Sequence, residues 1–122
     1  MGRARIRATK CSHDGLKFAS RAEGQCYLYL KTLQSVGHIS GLKTQVRVQL
    51  LPGITYVADF FYLDGKNKTP TWGEYKGHET EVWRLKKKLW KSFGPGVLAI
   101  YMGVSPRYSL EHLQSLQFKI NV

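Results

Sequence analysis

Ten consecutive positions, Ile54 to Leu63, are apolar or aromatic almost without a break, yet Asp59 sits near their centre, in Tyr56-Val57-Ala58-Asp59-Phe60-Phe61-Tyr62. A run this short, entered from Pro52-Gly53 and closed by Asp64-Gly65, has the length and the boundaries of a buried strand. Either face of such a strand is largely dry, and a carboxylate left there without partners is costly. Whatever this chain folds into must therefore bring a cation or hydrogen-bond donors to Asp59.

A second run, Pro70 to Lys76, follows at once, so the pair reads as a β-hairpin. If Gly65 to Lys68 form the loop, Asp64 pairs with Thr69, and counting back along both strands sets Asp59 opposite Glu74 and Val57 opposite Lys76. Directly opposed side chains share a face, with Cβ atoms about 4.5–5.5 Å apart. Two carboxylates that close repel, and one pKa rises unless a cation lies between them. A hard divalent ion such as Mg²⁺ satisfies both. The alternative is a purely structural ion cluster in which Lys76 neutralises one acid.

The remaining segments frame this hairpin. Ala22, Cys26, Leu30 and Leu33 recur at helical spacing and stop at Gly37, with Ser20 and Glu23 forming a capping-box pattern. Val46, Val48 and Leu50 alternate with Arg47 and Gln49 as in a half-buried strand. Thr80 is the N-cap of a second helix, with Val82, Leu85, Leu89 and Phe93 on one face and Gly94-Pro95-Gly96 at its end. Val97 to Met102 has strand length, and the tail predicts a short helix around Leu110, Leu113 and Leu116 and a last strand, Phe118 to Val122. Helix, three strands, helix, strand, helix, strand is the order of a single α/β domain with a central mixed sheet flanked by helices. The domain is expected over 15–122, behind a mobile basic arm over 1–14.

Charge narrows the partners. Nineteen Lys and Arg stand against eight Asp and Glu, a net +11 on 122 residues, which favours a polyanion such as nucleic acid. Six of the 19 cations lie in the first 21 residues, among them Arg3, Arg5, Arg7 and Lys10. In the second helix Arg84, Lys87, Lys88 and Lys91 fall on one stripe, a candidate phosphate track or simply a solvated face. Trp83, Trp90 and Trp72 are expected to pack in a core or a dimer interface, with stacking on unpaired bases as the sharper alternative.

A membrane partner is not expected, because there is no apolar run of spanning length, no apolar leader, and Ile6 stands where a myristoylation signal needs Ser or Thr. Cys11 and Cys26 fit reduced thiols in the cytoplasm. A zinc site from Cys11, His13, Cys26 and His38 is conceivable, but its spacing matches no standard module. No P-loop appears, so no nucleotide cofactor is expected.

Asp59, then Glu74-Tyr75-Lys76 fifteen positions on, placed on a hairpin and followed by a helix, resembles the PD-(D/E)XK nuclease core, whose element order also matches. More closely, Phe18-Ala19-Ser20-Arg21-Ala22-Glu23, Ile54-Thr55-Tyr56-Val57-Ala58-Asp59-Phe60, Glu74-Tyr75-Lys76-Gly77, and Thr80 with Trp83-Arg84-Leu85-Lys86-Lys87-Lys88-Leu89 are similar to small phage-encoded endonucleases of the Holliday-junction-resolvase type. The likeness covers residues 15–102, with Ala58 where the motif has Pro.

The resemblance implies a restriction-endonuclease-like core and a Mg²⁺-dependent endonuclease, with Mn²⁺ able to substitute. The substrate would be branched DNA, the oligomer a homodimer, and the compartment the host cytoplasm if the chain is phage-encoded. It makes Asp59 and Glu74 metal ligands and Lys76 the catalytic lysine, and suggests Glu23 as a further acid of the site. The capping box accounts for Glu23 without chemistry. Glu79 and Glu81 lie near the second helix start, where acids are favourable anyway. A nuclease for flaps or single strands, or a basic protein that only binds nucleic acid, are the alternatives.

Overall fold

The computed structural model describes residues 10–76, 78–102 and 106–109, the last four by their backbone alone. The elements are β1 (Cys11–His13), β2 (Leu16–Phe18), α1 (Arg21–Ser35), β3 (Ile39–Leu51), β4 (Ile54–Asp64), β5 (Thr69–Tyr75), α2 (Glu81–Phe93), β6 (Val97–Tyr101) and β7 (Pro106–Ser109). Residues 1–9 of the expected arm, the tail helix and the final strand lie outside the described residues. Among the described residues no helix is long and apolar enough to cross a membrane.

β3 to β7 form one five-stranded sheet in chain order, antiparallel except for the parallel pair β5 and β6, which α2 connects. This is a small α/β domain with a mixed sheet and a helix on each face. β1, at the end of the expected arm, and β2, at the start of the expected domain, form a separate antiparallel hairpin against α1. Gly24 of α1 admits it: a Cβ there would come within 2.5 Å of Cys11 Sγ.

Local signals produce both helices. Ser20 Oγ accepts from Glu23 N–H at 3.0 Å, and Gly37, at φ 87°, turns the chain out of α1. Thr80 Oγ1 accepts from Trp83 N–H at 3.1 Å and starts α2. The β4–β5 hairpin has the expected register, Asp64 with Thr69 through Phe60 with Gly73.

The core has two parts. Phe18, Cys26, Tyr27, Leu30, Ile39, Phe60, Tyr62, Ala99 and Tyr101 pack around α1. Val48, Leu50, Tyr56, Ala58, Trp83, Trp90, Leu98 and Ile100 pack around α2. Neighbouring residues of β6 alternate between them, so the two clusters lie on opposite faces of the sheet.

α2 corrects one expectation. Val82, Leu85 and Phe93 are 63%, 58% and 49% exposed, and only Leu89 of the expected apolar face packs on the core. Trp83 and Trp90, seven residues apart and so on nearly one line of the helix, are buried instead. The two indoles bring the largest apolar area, and the helix rotates to bury them. Trp90 meets Tyr56 and Trp72 edge-on at 5.4 and 5.5 Å and donates its Nε1–H to Gly96 O at 2.8 Å. Neither Trp83 nor Trp90 is open to a base.

Candidate active site at the parting of two strands

Tyr56, Ala58, Phe60 and Tyr62 would share one face of a regular strand, since they are two residues apart. Here Tyr56 and Ala58 belong to the α2 cluster, and Phe60 and Tyr62 to the α1 cluster. β4 therefore changes faces at Asp59. The pairing of β4 with β5 ends one residue away, at Phe60 and Gly73, so the ladder contact expected between Asp59 and Glu74 is not made. Asp59 Oδ2 instead accepts the N–H of Tyr75 at 2.8 Å, filling the gap where the strands part. On the other side lies Gln45, between the pairs Thr44 with Phe60 and Val46 with Ala58, and its side chain also hydrogen-bonds Asp59. Gln45 has φ 52°, a left-handed conformation unusual for a residue with a side chain.

Glu74 is buried on the α2 face, beside Ile100 of β6. Its Oε1 accepts from Tyr56 O–H at 2.9 Å, and Lys76 Nζ lies 3.3 Å from its Oε2. The ammonium of Lys76 stands 4.8 Å from the Trp83 ring centre, and its backbone N–H donates to Tyr101 O at 3.0 Å. One end of Lys76 is thus fixed to the sheet and the other rests on a core indole.

Glu23 approaches from α1. The cap uses its N–H, which leaves its carboxyl free to feel Asp59 and Lys76. Burial, then the charge of Asp59, raises its pKa from 4.5 to about 7, against the pull of Lys76. Burial and Asp59 also raise Glu74 from 4.5 to about 7, with Lys76 and the Tyr56 hydrogen bond opposing. Asp59 is raised by burial, partly offset by Tyr75 N–H, Lys76 and Gln45. Burial and the neighbouring Glu74 raise the Tyr56 phenol far above its usual range, so it remains a donor.

Three carboxyls thus share one lysine. Fully ionised, Asp59, Glu74 and Glu23 against Lys76 leave two negative charges uncompensated, which a divalent cation would balance. Among the described residues no three His, Cys, Asp or Glu groups already converge as a metal cage. Mg²⁺ is nonetheless commonly held by one or two carboxylates with water completing its shell, so the donor set fits a hard divalent ion at Asp59 and Glu74.

This charge excess makes stability depend on pH. Below about 4.5 both Glu23 and Glu74 are protonated in folded and unfolded chains alike. Between 4.5 and 7 the unfolded chain ionises first, so the stability they contribute is lost as pH rises through that window. Without divalent ions, Glu74→Gln is expected to raise the melting temperature by about 5 °C at pH 7.5 and leave it unchanged at pH 4. Thermal denaturation across pH checks this, and a mutant parallel to wild type at every pH would contradict it.

The other candidates divide. Arg3, Arg5 and Arg7 lie outside the described residues, and Lys10 is exposed before β1. Arg84 and Lys87 both pair with Glu79, Arg84 Nε at 3.7 Å, so they are not a bare phosphate track. Lys88 is exposed and Lys91 lies in the last turn of α2. Glu79 is occupied by those cations and Glu81 opens α2. Cys11 and Cys26 are free thiols, with Cys26 buried in the core. Cys11 and His13 lie together on β1, and His38 is exposed after α1.

Sequence reasoning missed Gln45, Tyr56 and Lys86, whose Nζ stands 5.8 Å from the Tyr56 ring centre. The Pro52-Gly53 turn pairs Leu51 with Ile54, but a register shift between Gln49 and Leu51 is needed to bring Gln45 level with Asp59, and no local signal announces it.

Fold and site together define an α/β protein in which a buried acid, Glu74, and two half-buried ones, Asp59 and Glu23, surround one lysine where two central strands part. The chain belongs to DUF1064, a family described as proteins of unknown function, whose model matches residues 3–112. No curated protein and no solved structure matches it.

Proposed function

We propose that this protein is a metal-dependent endodeoxyribonuclease of the PD-(D/E)XK type, acting on branched DNA as a Holliday-junction resolvase does. The observation that carries the reading is the meeting of Asp59, held by the Tyr75 N–H, with Glu74, paired to Lys76, at the parting of β4 and β5, with Glu23 of α1 near enough to feel the charges of Asp59 and Lys76. A protein that only held DNA would gain nothing from gathering three carboxyls, one buried and two half-buried, where a phosphate must approach, on a chain of net +11. The finer fold in this reading is a restriction-endonuclease-like core built from α1, β3 to β5, α2 and β6.

Asp59 and Glu74 would hold Mg²⁺, or Mn²⁺ in its place. When bound, the ion supplies positive charge for the scissile phosphate and acidity for a water. Tyr56 O–H and Tyr75 N–H fix one oxygen of Glu74 and of Asp59, respectively. Lys76 sets its ammonium beside the acids to orient the attacking water or to offset charge developing on the phosphate. The water would give up a proton as its oxygen adds to phosphorus and the bond to the leaving oxygen breaks, and the leaving oxygen would take up a proton, so that one water is consumed for each bond cut. Nicking two strands symmetrically takes two sites, so a two-fold dimer belongs to the reading.

The test is a panel of labelled substrates (four-way junction, flap, linear duplex, single strand) incubated with Mg²⁺ or with EDTA. Paired nicks in the junction with Mg²⁺, and none with EDTA, are expected. Preferred cutting of flaps or single strands would move the substrate within the same chemistry. Binding without cleavage of any member would leave a non-catalytic nucleic-acid-binding protein.

A further inference from the structure

Beside the acid cluster lies an open groove of about 430 Å³, lined by Lys43, Val46, Arg47, Gln49, Phe61 and Trp72. Lys43 pairs with Phe61 and Phe61 with Trp72, so the three form a row across β3, β4 and β5. Phe61 and Trp72 meet edge to face with ring centres 5.0 Å apart, and both are half-buried. Lys43 and Arg47 are exposed, and no carboxylate lines the groove.

Its position ties it to the site. Trp72 and Glu74 are two residues apart on β5 and face the same way, and Phe61 is two residues beyond Asp59 on β4, about 7 Å along the strand. Val46 follows Gln45, which hydrogen-bonds Asp59. A strand with a phosphate at the carboxylates would therefore carry its next nucleotide over Phe61.

We propose that this groove is a binding subsite for one unpaired nucleotide of the DNA substrate, with the base against Phe61 and Trp72 and its phosphate on Lys43 and Arg47. The inference rests on the nuclease reading and names what that nuclease selects. An apolar peptide would leave two cations unused, and a free inorganic anion would leave the aromatic floor unused. A nucleotide uses both. The bases of an intact duplex are stacked and present no free face to an aromatic ring, so the subsite favours DNA in which the nucleotide next to the scissile phosphate is unpaired or unstacks readily, as at a branch point. This is the selecting device that the buried Trp83 and Trp90 cannot provide.

The experiment is equilibrium binding by fluorescence anisotropy, in EDTA, of the full chain to a labelled eight-nucleotide oligothymidylate and to a blunt duplex of the same length. Phe61→Ala is expected to weaken single-strand binding about five- to a hundredfold and leave duplex binding within twofold. Arg47→Glu, at an exposed position outside the core, is expected to weaken the single strand at least tenfold and keeps the test independent of any effect of Phe61 on folding. Wild-type affinity for the oligonucleotide in both variants, or no binding of it by wild type, overturns the subsite. Phe61-dependent binding without Mg²⁺-dependent cleavage would uphold the subsite and refute the nuclease. Cleavage with single-strand affinity indifferent to both substitutions would do the reverse.

Discussion

Asp59→Asn is expected to reduce Mg²⁺-dependent cleavage at least about 10³-fold, roughly 4 kcal/mol of transition-state stabilisation, while DNA binding stays the same or tightens. The substitution isolates charge from shape. An Asn side-chain oxygen can still accept the Tyr75 N–H that Asp59 holds at 2.8 Å, so the parting of β4 from β5 keeps its hydrogen bond. What disappears is a negative charge that a divalent ion would need. In the nuclease reading that same charge would stand beside an approaching phosphate, and it raises the pKa of both Glu23 and Glu74. Its removal should therefore relax the other acids and leave the fold at least as stable as before. Gel-based cleavage and anisotropy on one junction substrate, with thermal denaturation as the folding control, measure all three. Full activity in this variant would end the assignment of Asp59 as a metal ligand.

Trp90→Ala carries the largest expected cost to stability, about 3–5 kcal/mol for the lost indole and its cavity, plus about 1 kcal/mol for the Gly96 carbonyl left without its donor. Against a typical total of about 5–15 kcal/mol for a domain, the variant should be marginal at 37 °C, with a melting temperature lower by about 15–20 °C. The effect should reach the site, because Trp90 and Trp83 pack against Tyr56 and Tyr56 donates to Glu74. Loss of near-ultraviolet circular dichroism should accompany the shift, and Trp90→Phe should recover part of both. A denaturation midpoint within experimental error of wild type would show that α2 is not held to the sheet through Trp90.

β4 delivers Tyr56 to one face and Phe60 to the other, and only because it changes faces at Asp59 can a carboxylate from one strand sit among groups from both layers. Glu23 arrives from the α1 side, Glu74 and Lys76 from the α2 side. A regular strand would have brought Asp59 to only one of them.

Much of this was legible beforehand, and the legible parts share a cause. The caps at Ser20 and Thr80, the end of α1 before Gly37 and the register from Asp64 and Thr69 to Phe60 and Gly73 each depend on residues a few positions apart. Turn geometry and capping chemistry act at that range, so the sequence by itself determined the central element order, the hairpin and the conjunction of Asp59, Glu74 and Lys76. It could not determine which stripe of α2 is buried, because Val82, Leu85 and Phe93 are as periodic as Trp83 and Trp90, and only competition for one sheet surface selects the larger area. Nor could it show β4 turning over at Asp59, Gln45 and Tyr56 reaching the acids, or β1 closing on Gly24. Those outcomes belong to the tertiary structure, since each is decided by groups distant in the chain that must share one volume, one hydrogen bond or one charge.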